Sequence, residues 1–161
     1  MEQGGYNNPQ YWSAEGWRWV SQMKITLPKF WIKKTDGQFT LRNVFEETKN
    51  MPWDWPVEVN NFEANAYARW LRITTGRNIR LPKEDEYYSM LSYLKFTMRD
   101  TANQNIALMY STSTPVDLKK VGDIYDAMGN VWQWTRTTMY PFNEFQTHPD
   151  YDDFTIPTFD D

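Results

Sequence analysis

Apolar residues recur at helical spacing in three stretches of the chain. The first runs from Ser13 to about Met23, where Ser13 suits an N-cap and Trp17, Val20 and Ser21 fall at i, i+3 and i+4. In the second, Ala64, Tyr67, Ala68 and Leu71 recur at i, i+3, i+4 and i+7. Asn60, with Glu63 three residues on, makes a capping-box start, and Gly76 suits the stop. The third follows Arg80-Leu81-Pro82. Pro82 fits near a helix start, Glu84, Asp85 and Glu86 suit the positive end of the helix dipole, and Tyr87, Met90, Leu91 and Leu94 form an apolar stripe. Phe30-Trp31-Ile32 and Phe39-Thr40-Leu41 flank the turn-like Lys34-Thr35-Asp36-Gly37, which predicts a hairpin. Val57-Glu58-Val59 reads as a short extended piece after Pro56. Beyond Thr97 neither period persists, so loop and short strand are expected. The pattern predicts an α+β fold of low regular content, held by buried aromatic rings.

Composition sharpens this picture. The 161 residues include 9 Trp, 10 Tyr and 9 Phe, so 17% of positions are aromatic, which excludes a disordered chain. The length suits a single domain, 1–161. Seventeen basic and 21 acidic residues give a net charge of -4, which argues against a protein that tracks nucleic-acid phosphates. The charge is unevenly placed. Residues 1–142 carry +2, whereas 143–161 hold six acidic residues and no Lys or Arg. That acidic segment keeps Phe145, Tyr151, Phe154, Ile156 and Phe159, so it is expected to pack on something. Zero Cys removes disulfides and thiolate sites, and one His, His148, removes a self-contained site of three imidazoles. No apolar run is long enough to span a membrane, and the N-terminus lacks the features of a signal peptide, so the expected compartment is the cytoplasm.

Two segments exceed propensity. One is Met51-Pro52-Trp53-Asp54-Trp55-Pro56-Val57-Glu58-Val59-Asn60, leading through the second helix to Arg80-Leu81-Pro82-Lys83-Glu84-Asp85-Glu86-Tyr87. The other is Gly122-Asp123-Ile124-Tyr125-Asp126-Ala127-Met128-Gly129-Asn130-Val131-Trp132-Gln133-Trp134-Thr135. In order and spacing they resemble the formylglycine-generating-enzyme (sulfatase-modifying-factor) domain family. Further stretches narrow the likeness: Gly4-Gly5-Tyr6, Tyr11-Trp12-Ser13, Gly16-Trp17, Tyr140-Pro141-Phe142, His148-Pro149, Tyr151-Asp152-Asp153-Phe154 and Pro157-Thr158-Phe159-Asp160. With these, nearly the whole chain is similar to the central domain of the 5-histidylcysteine sulfoxide synthases of ovothiol biosynthesis.

The resemblance implies a C-type-lectin-like scaffold, here a partial domain that stops before the family's Gly-Gly-Ser-Trp and Arg-containing end. It implies two neighbours on the same polypeptide, an N-terminal DinB-like bundle and often a C-terminal methyltransferase. It implies small-molecule substrates (cysteine, histidine and dioxygen) and a non-haem Fe(II) held by three imidazoles of the bundle. This chain, with one His, would then hold no iron and be inactive alone. The copper-dependent formylglycine reaction needs a Cys pair that is missing here. The central domain would instead wall the substrate pocket.

Residue roles follow from the same likeness. Tyr151 matches the position that places a phenol near the reacting oxygen, where it can supply a proton or hydrogen bond; the plainer reading is a packed ring. Trp132, Trp134 and Phe154 would line the substrate pocket, with at least one of the two Trp rings filling the core. Arg136 can clamp a carboxylate through two hydrogen bonds; an ion pair with the acidic C-terminal segment is the duller reading. Asn130 and Asp126 are weak calcium candidates, because Gln133 stands where calcium-binding relatives have Glu. His148 reads as a loop histidine, Asp152-Asp153 as a turn or cap, and Trp53-Asp54-Trp55 as a packed corner with Asp54 capping amides. Two alternatives stay open: a non-catalytic binding or interaction module on the same scaffold, and an ergothioneine-type enzyme acting on a betaine.

Overall fold

A computed structural model describes residues 3–97 and 104–159. Four helices and two small antiparallel ribbons appear among them: α1 (Ala14–Met23), β1 (Trp31–Lys33), β2 (Phe39–Leu41), α2 (Asn61–Thr75), α3 (Glu84–Tyr93), β3 (Lys120–Val121), β4 (Ile124–Tyr125) and α4 (Asp152–Phe159). The α+β class with low regular content is therefore what the chain adopts.

Helix ends follow the local chemistry. Ser13 Oγ accepts the Gly16 amide at 3.0 Å and starts α1. At α2 the capping box closes both ways, with Glu63 N on Asn60 Oδ1 at 3.0 Å and Asn60 N on Glu63 Oε2 at 2.9 Å. Gly76 ends α2 at φ 67°, in the left-handed region where a Cβ is costly. At α3 the Glu86 carboxylate takes the Lys83 amide at 2.7 Å.

The core sits where α1 crosses α2. Trp12 (5% exposed), Val20 and Ala66 are its buried centre, ringed by Tyr6, Tyr11, Trp17, Trp19 and Phe62. The helix faces keep Val20 and Ala68 of the sequence pattern, with Trp17 packed against the core, and depart from it at Ser21 and Tyr67. On α1 the buried pair is Gly16 and Val20 while Ser21 is exposed; on α2, Ala66 and Ala68 are buried while Tyr67 is 62% exposed. Gly16 lets the helices meet, since a Cβ there would lie 3.2 Å from Phe62 Cβ and from the Trp12 ring. Tyr6, Trp12, Trp19 and Phe62 then form a chain of tilted rings at centroid spacings of 5.7, 6.3 and 6.1 Å. The Trp12 indole N–H donates to Gly5 O at 2.9 Å, and Tyr6 donates to Glu63, tying the N-terminal segment onto the α2 cap. Burial, with the neighbouring Glu63 carboxylate, raises the Tyr6 pKa far above its ordinary value.

The hairpin pairs Trp31 with Leu41, Ile32 with Thr40 and Lys33 with Phe39. Trp53 stacks edge-on against Trp31 at 5.5 Å, so the Trp53-Asp54-Trp55 corner does pack on the hairpin, although Trp53 stays 67% exposed. The Asp54 carboxylate caps no amide among the described residues; its backbone carbonyl accepts Val116 N at 2.8 Å instead. Residues 57–59 enter no strand.

The C-terminal segment departs furthest from expectation. It forms a 3-10 turn, Pro149–Tyr151, running into α4, and the element contacts of α4 are with that turn. Its rings stay outside the core: Phe142 is 91%, Tyr151 61% and Phe154 74% exposed. Local signals favour its start: Pro149 opens the turn, and Asp152 and Asp153 stand in the first turn of α4, at the positive end of the helix dipole, although Pro157 lies inside the helix. The side chains of Ile156 and Phe159 lie outside the described residues.

Candidate functional site

The segment 126–137 is held by a polar clasp rather than by regular structure. Asn130 sits at its centre with φ 62°, a left-handed conformation that Asn tolerates. Its Oδ1 accepts Thr114 N at 2.8 Å, Thr114 Oγ1 at 3.2 Å and Asn105 Nδ2 at 3.1 Å. Its Nδ2 donates to Thr114 O and Asp126 Oδ2, both at 2.9 Å. Gly129 turns at φ 84° against the Asn105 carbonyl, which a Cβ would approach to 3.0 Å. Tyr87 of α3 donates to Ala127 O at 3.0 Å, and Gln133 donates to Asp126 O at 2.7 Å. Three loops are thereby joined to α3.

This geometry does not fit calcium. Asn130 Oδ1 is engaged by three donors, and the Asn130 amide group donates to Asp126 Oδ2 and Thr114 O. Asp126 Oδ1 is buried with no hydrogen-bond partner, but it is a single oxygen. Among the described residues no group of three or more His, Cys, Asp or Glu side chains could hold a metal ion.

Downstream, the segment leaves the clasp as an exposed ribbon. Trp132 projects fully into solvent, and Trp134 is 47% exposed with its indole N–H on Val59 O at 2.8 Å. The expected core-filling Trp is therefore absent from this pair: the clasp fixes the backbone, and neither ring is needed inside. Arg136 N donates to Pro82 O at 2.9 Å, and Glu84 N donates to Thr137 Oγ1 at 2.9 Å, which lays 133–139 beside the start of α3. The Arg136 guanidinium pairs with no carboxylate among the described residues.

Two clefts border this ribbon. The larger, about 1090 Å³, lies between the ribbon and α2; the smaller, about 540 Å³, lies against the start of α3. Arg136 lines both, and Trp134 lines the larger. Trp132, Tyr151 and Phe154 line neither. Tyr151 stands by His148, ring centroids 5.6 Å apart, while His148 Nδ1 accepts the Asp150 amide at 3.2 Å. The structure thus brings Trp134 and Arg136 together and leaves Tyr151 and Phe154 on a separate exposed arm. Sequence reading missed Arg69 and Arg72, which line the larger cleft from α2. Their i, i+3 spacing on a helix already recognised was the available signal. It also missed the Arg80–Glu86 fork, with distances of 2.7 and 2.5 Å, which together with the Lys83 amide draws the Glu86 carboxyl down to about 2.

These features define a mixed α+β scaffold that carries an exposed Trp ribbon and Arg-lined clefts. No family model matches the chain. Its curated relatives are hercynine oxygenases: that of Mycolicibacterium smegmatis is 29% identical over 176 residues, spanning 99% of this chain and 38% of the relative. Those of Mycolicibacterium thermoresistibile and Mycobacterium tuberculosis are each 29% identical over 161 residues, covering 90% of this chain and 34% and 36% of the relatives. The chain spans about a third of the length of the curated relatives it matches.

Proposed function

We propose that this chain is the substrate-pocket domain of an iron-dependent, oxygen-using sulfoxide synthase that joins cysteine sulfur to a histidine imidazole. The observation that carries the reading is the match to hercynine oxygenases along 90–99% of the chain. In such a reaction the thiol S–H and one imidazole C–H are lost and a C–S bond forms. One oxygen atom goes to sulfur and the other leaves as water, so dioxygen takes four electrons. The scaffold would be the lectin-like formylglycine-generating-enzyme type. Iron supplies the oxygen activation when bound, on histidines outside this chain. The neighbours in this reading are a DinB-like bundle and, optionally, a methyltransferase.

This chain's own residues then bind and orient. Arg136 offers a planar fork to a substrate carboxylate, and Trp134, anchored through Val59, offers an immobilised ring. Tyr151 and Phe154, exposed on their arm, would face the pocket once the neighbouring domain docks, and the Tyr151 hydroxyl would donate a proton or hydrogen bond there. Trp132, wholly exposed, would form part of the same wall.

The ending Tyr151-Asp152-Asp153-Phe154 supports the ovothiol type, with free histidine as substrate. The names of the relatives support the ergothioneine type, with the betaine hercynine. A competition assay on the protein of the parent reading frame, with Fe(II), oxygen, cysteine and equal histidine and hercynine, separates them. Product from histidine is expected; product from hercynine alone assigns the ergothioneine type, and product from neither removes the enzymatic reading in favour of a binding module.

A further inference from the structure

We propose that Tyr6 is a positioning residue for the Trp134 ring, acting from the N-terminal segment through Glu63 and the peptide unit that joins Val59 to Asn60. The inference deepens the proposed function and rests on that reading only for what the placed ring is used for. Four groups stand in line. The Tyr6 hydroxyl donates to Glu63 Oε1 at 2.5 Å. The other carboxylate oxygen, Glu63 Oε2, accepts the Asn60 N–H at 2.9 Å. On the far edge of the same peptide unit, Val59 O accepts the Trp134 indole N–H at 2.8 Å. A peptide unit is planar, and its N–H and C=O point to opposite sides. Whatever fixes the Asn60 N–H therefore also aims the Val59 carbonyl at the ribbon.

Burial and exposure show why the line matters. Trp134 is 47% exposed, so packing alone does not hold its ring, and the bond to Val59 ties it to the start of α2. Glu63 is buried, where a carboxylate must be held by donors, and it has one on each oxygen. Asn60 Oδ1 accepts the Glu63 amide at 3.0 Å, so α2 is capped without Tyr6. What the phenol adds is the orientation of the carboxylate. Its own place is set by the core. The Trp12 indole donates to Gly5 O at 2.9 Å, and the Tyr6 and Trp12 rings lie 5.7 Å apart. Hydrogen bonds that share a buried carboxylate and one peptide polarise each other, so the line is stronger whole than in parts.

The test is the indole Nε1–H resonance of Trp134 in NMR of the 161-residue chain, assigned by its loss in Trp134→Phe. Tyr6→Phe removes only the hydroxyl. It should shift that resonance and speed its exchange with solvent about fivefold, the effect of taking one net hydrogen bond from the support of the peptide. The indole of Trp132, fully exposed, should not change. Glu63→Gln still offers an acceptor to Asn60 N–H and an amide to the Tyr6 oxygen, so it should give a smaller change of the same sign. Thr40→Val deletes a hydroxyl-to-carboxylate bond of the same kind, on Glu47 of the hairpin at 2.7 Å, and should leave Trp134 where it is. The proposal is overturned if Trp134 is unmoved in folded Tyr6→Phe, if every indole moves alike, or if Thr40→Val moves Trp134 as much. Should Tyr6→Phe not fold, Glu63→Gln decides by the same resonance, a shift supporting the line and no shift overturning it. In the parent protein, Tyr6→Phe should raise KM for the imidazole substrate more than it lowers kcat. A shifted Trp134 without turnover by the parent protein removes the enzymatic reading alone, and turnover with an unmoved Trp134 removes this inference alone.

Discussion

Asn130→Ala tests whether the Trp ribbon is positioned by a side-chain clasp. The substitution removes five hydrogen bonds and leaves the amide and carbonyl of Thr114, a residue 6% exposed, without that partner. Each stranded buried group costs about 1–3 kcal/mol. Holding a non-glycine residue in the left-handed region adds about 1 kcal/mol where Asn was tolerated. The expected loss is therefore about 3–7 kcal/mol, a large part of the ~5–15 kcal/mol available to a small domain. Asn130→Asp keeps the acceptor but loses both donated bonds and sets a second carboxylate beside Asp126, so it should also destabilise. The assay is urea unfolding followed by tryptophan fluorescence, with and without millimolar calcium. Stability of the parent chain should be unchanged by calcium. An Asn130→Ala variant within ~0.5 kcal/mol of the parent, or a parent chain stabilised by calcium, would refute the clasp.

Other substitutions test neighbouring links. Trp132→Ala should leave the melting temperature unchanged, because its ring is fully exposed; a marked drop would mean the ring packs. Trp12→Ala should cost about 3–5 kcal/mol by emptying the centre of the core, read by the same urea titration. Glu86 is held near 2 by Arg80, so its folded-state pKa lies below the ordinary 4.5; its contribution is present above about 4.5 and lost as pH falls through about 2. NMR titration of the Glu86 carboxyl should show this, and Arg80→Gln should return the titration toward 4.5. In the parent protein, Tyr151→Phe should change product ratio or rate with little change in stability, since the ring is 61% exposed.

The parts legible in the sequence are those governed by neighbours in the chain. Ser13, the Asn60/Glu63 box and Gly76 marked helix ends that the structure reproduces, because caps are satisfied within a few residues. The hairpin was readable for the same reason, with Gly37 at φ 85° in its turn. What escaped depends on distant partners. Nothing local says that Asn130 will be met by Thr114 and Asn105, or that Tyr6 will lean on Glu63 across 57 residues. The stripes marked Val20 and Ala68 but not Gly16 and Ala66, because α1 and α2 meet through these small residues, whose burial a hydrophobic stripe does not reveal. The exposed arm bearing Tyr151 was read as packed because its rings are apolar, yet burial needs a surface to receive them.

The central claim is that this chain supplies a pocket wall while the reactive ion sits on ligands elsewhere. Its most direct test is mass-spectrometric detection of a coupled cysteine–imidazole sulfoxide, made from Fe(II), oxygen, cysteine and histidine. The 161-residue chain and the protein of the parent reading frame are compared side by side. The account predicts product from the longer protein and none from the chain alone. Steady turnover by the chain alone, or no sulfoxide from either with histidine or hercynine, would contradict it.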